Sequence, residues 1–110
     1  MEQVAKLFTF VRTVRTENSE IHVIIDHEEQ IGVVDLHFAD DVAHATLILA
    51  TVLEEEQIHE VIHAIDEQLV SSVLPPFNRG DFETVVYHGH EIGSFCDPSP
   101  GDEYGTENGN

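Results

Sequence analysis

The sequence predicts an α+β fold: a mainly antiparallel sheet with a four-stranded meander, one long helix and a C-terminal hairpin. Three observations carry that prediction. Apolar residues alternate with polar ones through residues 5–38, and short polar clusters interrupt the runs. A single stretch, residues 58–73, changes to helical spacing. Pro75-Pro76 then ends that stretch, and β-branched and aromatic side chains return at 82–88.

The elements follow in order. Residues 5–15 are rich in Val, Phe and Thr and read as the first strand, closed by the turn-like cluster Thr16-Glu17-Asn18-Ser19. Residues 21–26 form the second, with Ile21, Val23 and Ile25 on one face, and His27-Glu28-Glu29-Gln30 turns the chain. Residues 31–38 form the third: Val34, Leu36 and Phe38 share one face, while Val33, Asp35 and His37 share the other. After Ala39-Asp40-Asp41, residues 42–52 fit either a fourth strand or the start of a much longer helix. The β-branched Thr46, Ile48, Thr51 and Val52 favour the strand, and Thr51-Val52-Leu53-Glu54 has the form of a capping box that starts a helix at Thr51. The helix is expected over 53–74, with Ile58, Val61, Ile62, Ile65, Leu69 and Val73 as its apolar stripe and Glu54, Glu55 and Glu56 complementing the dipole of its first turn. A fifth strand over 82–88 and a short sixth over 91–96, joined at Gly89, complete the hairpin.

One hundred and ten residues suit a single domain with one modest core. The domain is expected over 1–96. Residues 97–110 are acidic and nearly free of apolar side chains, and read as a disordered acidic tail.

Charge narrows the function classes. Twenty-two carboxylates face four basic side chains, for a net charge of −18. Residues 1–16 hold Lys6, Arg12 and Arg15 against Glu2, three minus one or +2, whereas residues 17–110 hold Arg79 against twenty-one carboxylates, or −20. That field repels nucleic acid and anionic membrane surfaces, and no basic-aromatic surface offsets it. The bland reading is solubility or adaptation to high salt, and the field also suits a basic protein partner, a cationic ligand or a divalent cation. The longest near-apolar run, residues 45–53, is too short to span a bilayer, and no signal-peptide pattern is visible. Cys96 is the sole cysteine, which excludes an intramolecular disulfide and fits a cytoplasmic location.

His59-Glu60-Val61-Ile62-His63 is the most specific motif. Residues four apart share a helical face, so both imidazoles can reach one metal ion, and the glutamate between them can polarise a bound water. The stretch resembles the helix of the zincin metallopeptidases, including the uncharged Gln57 and Ala64 and the hydrophobic Ile65 beside it. That resemblance implies a zinc-dependent hydrolase, with His59 and His63 as ligands and Glu60 as the catalytic base. It covers only the helix: Asp66 and Leu69 stand where one zincin group has a glycine and a third histidine. A third ligand would come from the hairpin, where His88 and His90 share a strand face if Gly89 is extended and where Glu83 and Glu91 lie nearby. On the helical wheel His59 and His63 lie about 110° from the centre of the apolar stripe, on its flank.

The other reading, and the principal one, is a non-catalytic interaction domain. One helix covers one face of the expected sheet and leaves the other to a polar surface or a partner. A homodimer through an open sheet face or edge follows, or a basic protein partner. Eight histidines in so acidic a chain also point to association that depends on pH.

Overall fold

The computed structural model describes residues 8–97. Its strands are β1 (Thr9–Arg15), β2 (Ser19–Asp26), β3 (Glu29–Ala39), β4 (Val42–Leu49) and β5 (Asp81–His88), joined in one sheet of order β1-β2-β3-β4-β5. The first four pair antiparallel in sequence order, and β5 pairs parallel to β4, from Val42↔Asp81 to Leu49↔His88. Residues 42–49 are therefore strand.

One expectation about the sheet needs correction. No C-terminal hairpin forms: residues 89–97 contain no strand, and the last strand belongs to the same sheet as the others. The cause lies in the connection. A helix carries the chain from the end of β4 back to its start, so the next strand must run parallel to β4. The first strand begins at Thr9, and the expected residues 5–7 lie outside the described residues. So do residues 98–110, where all of the expected acidic tail but Asp97 falls.

The helix is not one unbroken element. It starts as α1 (Glu55–Ile65), widens into a π-helical segment (Asp66–Val70) and ends in a single turn, α2 (Ser71–Val73). Its cap is Glu54, not Thr51: the Glu54 backbone N–H donates to Gln57 Oε1 at 3.0 Å, and the first helical bond runs from Ile58 N–H to the Glu54 carbonyl. Gln57 at the third helical position thus displaces the box expected at Thr51. In the π segment the Ser71 N–H donates to the Asp66 carbonyl five residues back, and Ser71 Oγ donates to Asp66 Oδ1 at 3.1 Å. The extra residue in that turn shifts the buried face by one position. Val70 is fully buried and Leu74 packs on the core, while Val73, expected in the stripe, is 49% exposed.

The core lies between the helix and one face of the sheet. Ile24, Val34, Leu36, Leu47, Val61, Ile65 and Val70 are all fully enclosed, with Phe8, Ile31, Ala43, Ala45, Leu49 and Ala64 around them. Each large aliphatic side chain so buried contributes roughly 1.5–3 kcal/mol. Arg79 fixes the return to β5. It donates from Nη1 and Nη2 to the two Asp66 carboxylate oxygens at 2.8 and 3.1 Å, and its guanidinium lies 5.3 Å from the Phe82 ring centroid. Among the described residues, no helix is long and apolar enough to cross a membrane.

Candidate functional site

The expected metal ligands are placed as follows. His59 and His63 lie on the outer flank of α1, with side chains 70% and 57% exposed. Each ring meets a carboxylate of the same helical run: His59 Nε2 is 3.7 Å from Glu55, and His63 Nε2 is 3.4 Å from Glu67. Glu60 is exposed beside them. His88 closes β5, and His90 lies beyond Gly89, whose N–H donates to the Leu49 carbonyl. Both histidines are exposed. Glu83, named as a possible third ligand, is on the far side of the sheet from the helix, where its carboxylate is 3.4 Å from His44 Nδ1. Among the described residues, no group of three or more His, Cys, Asp or Glu side chains gathers around a common point. The helical pair therefore stands as two ligands without a third in the described residues.

What the fold does build is an open sheet face. The helix covers the side carrying Ile24, Val34, Leu36, Ala45 and Leu47. Strand alternation sends the intervening residues to the opposite side, and the register aligns them in rows. One row crosses all five strands: Val11, Val23, Val33, Ile48 and Tyr87. The next runs Val14, Ile21, Asp35, Thr46 and Val85. The third is polar: Ser19, His37, His44 and Glu83. A bulge between Arg12 and Val14 keeps Val11 and Val14 on this same side. At the strands bordering the sheet, Val11, Val85 and Tyr87 are 49%, 54% and 56% exposed.

The face is poor in charge. In a chain of −18, its strand carboxylates are Asp35 in the middle row and Asp81 and Glu83 at the start of β5. The exposed acids of α1, Glu55, Glu56 and Glu60, lie on the other side of the molecule. A groove of about 280 Å³ opens at one end of the face, lined by Gln30, Val33, Ile48 and Ala50 and walled by Gly89, His90 and Glu91. Beyond it, Ile92 and Phe95 are 91% and 89% exposed.

One further ionisable group is enclosed on the helix side of the sheet. His22 is 5% exposed, its Nε2 lies 2.8 Å from Glu20 Oε1, and the Phe10 ring meets it edge to face. Its Nδ1 has no partner among the described residues. Arg15 Nε approaches Glu20 Oε2 at 3.8 Å from the neighbouring strand, with the arginine side chain largely exposed.

A sequence signal for the open face exists. Residues 21–25 and 45–50 are almost continuously apolar, as are Val85-Val86-Tyr87, and a strand solvated on one face would alternate. The rows themselves are invisible until register is known. No protein-family model, curated protein or solved structure matches this chain, so its function must be argued from its own geometry.

Proposed function

We propose that this chain is a non-catalytic interaction domain that docks a protein through the open face of its sheet. The observation that carries this reading is the apolar row running Val11, Val23, Val33, Ile48 and Tyr87 across every strand on the side the helix leaves bare. Apolar side chains joined into one exposed surface mark interaction sites far more often than scattered ones do. The row itself carries no charged side chain and ends on an aromatic at the sheet margin, the composition of an interface core. The helical His59-Glu60-Val61-Ile62-His63 stretch, by contrast, offers two ligands and a base with no third protein ligand among the described residues, where a catalytic zinc site uses three.

The test is site-specific photo-crosslinking in cells that make the protein. A photoreactive residue at Val33, in the middle of the face, is expected to give one adduct of defined mass. The same residue at Val52, 80% exposed but off the sheet, is expected to give none. Equal labelling from both positions, or no adduct from Val33, would sink the reading.

A further inference from the structure

Resting on that docking surface, we infer that its occupant is a second copy of this chain, packed sheet face to sheet face.

Four observations converge on a second copy. The first is the strands themselves. β2 carries Ile21, Val23 and Ile25 on the open side and Ile24 on the core side; β3 carries Val33 opposite Val34; β4 carries Ile48 between Leu47 and Leu49. Such two-sided apolar strands belong to sheets covered on both faces, and this sheet has one cover. The second is charge. A basic partner would be drawn to the carboxylates of α1 and the turns rather than to a face whose strands carry three, Asp35, Asp81 and Glu83. A partner that is itself strongly acidic can approach closely only through such a region, and an identical chain brings a matching one.

The third is area. Five strands about 4.8 Å apart and about seven residues long give a face of about 24 by 23 Å, or roughly 550 Å² in projection. Two such faces bury roughly 1,100 Å², above the ~1,000 Å² that separates specific interfaces from incidental contacts. The fourth is the composition of the chain's own C-terminal residues. Residues 98–110 hold Tyr104 as their one large apolar side chain and cannot supply a cover. Two sheets stacked through interleaved Val and Ile rows form a sandwich in which each chain's helix lies outside. A two-fold relation makes the same patch serve both partners.

The charge gives this association a distinctive salt response. Each chain carries −18, so the two copies repel until counterions screen them. Salt therefore tightens this dimer, whereas it loosens binding to a basic partner.

Sedimentation velocity of the full chain tests the inference. The expected mass is twice 12.3 kDa, or 24.6 kDa, with the dissociation constant falling ~10-fold between about 0.05 M and about 1 M NaCl. Val33→Glu and Val85→Glu each shift the population to monomer with an unchanged far-UV circular dichroism spectrum, while Val52→Lys stays dimeric. Val85 is half exposed in the single chain, so its variant decides the matter even if Val33→Glu does not fold. A 12.3 kDa species in both salts at about 0.5 mM chain, a dimer that loosens with salt, or a dimer that survives Val85→Glu would each overturn it. A monomer that still yields a heavier Val33 adduct overturns the second copy alone; a monomer without any adduct removes the docking reading as well.

Discussion

Asp66 holds three parts of the chain together. It accepts from both Arg79 guanidinium nitrogens and from Ser71 Oγ, and its own carbonyl accepts the π-helical bond from Ser71. The hydrogen bonds from Arg79 hold its carboxyl below the usual aspartate range, helped by Ser71 and by the nearby His63 and opposed by partial burial. The same pairing raises Arg79 above its ordinary value. A carboxyl whose value is lowered on folding contributes stability that is complete above its unfolded value and disappears as pH falls through the folded one. Asp66→Asn is expected to cost roughly 1.5–3 kcal/mol near neutral pH, from the loss of charge-assisted bonds, with the difference closing below about pH 4. Urea unfolding of both proteins from neutral to acidic pH measures it, and a constant difference at all pH values would show that Asp66 acts by packing alone. At the same scale, the His59 and His63 rings face solvent and carboxylates of their own helix. Protein purified without chelators is expected to hold zinc well below one ion per chain, with no change in His63→Ala. Stoichiometric zinc lost in that variant would restore the hydrolytic reading.

At the scale of elements, the helix shows where sequence periodicity stops being a guide. Its approximate length and the flanking position of its histidines follow from side-chain spacing. The π turn does not, because it depends on Asp66 meeting Ser71 and Arg79, and Arg79 is thirteen residues away. Spacing points to Leu69 and Val73; Leu69 does pack on the core, but Val73 is exposed and Val70 and Leu74 take its place. The β2–β3 turn carries a similar local conflict. Asp26 pairs with Glu29, leaving His27 and Glu28 as a two-residue loop, with φ of 52° and 71°. Two positive φ values match the turn that suits the strand twist, but Asn-Gly is the pair that adopts it without strain. The double change His27→Asn with Glu28→Gly is expected to raise stability by about 1 kcal/mol, seen as a higher urea midpoint with an unchanged slope. An unaltered or lower midpoint would mean that His27 and Glu28 make compensating contacts.

At the scale of the whole molecule, the class of the fold and the first four strands are legible because alternation and turn chemistry are local properties. The position of β5 is not. Its sequence is equally compatible with a hairpin partner for residues 91–96, and only the return path of the helix selects the parallel place beside β4. The candidate surface was legible to the same degree. Val33, Asp35 and His37 share a face by simple alternation, but Val11, Ile48 and Tyr87 join Val33 only through four separate strand registers. Glu83 illustrates the reverse case: near the helical histidines in prospect, it is separated from them by the thickness of the sheet.

The late arrival of β5 has a kinetic meaning. Strands β1 to β4 meet their neighbours through turns of a few residues, so they can pair early. β5 joins β4 across a separation of thirty-nine residues, from Val42 to Asp81, and only after the helix has turned the chain round. Until then β4 presents a bare backbone edge along Val-Ala-His-Ala-Thr-Leu-Ile-Leu, a run of strand-forming side chains with no charge other than a histidine. Docking of the last strand covers that edge, and the Arg79–Asp66 pair anchors the strand's approach.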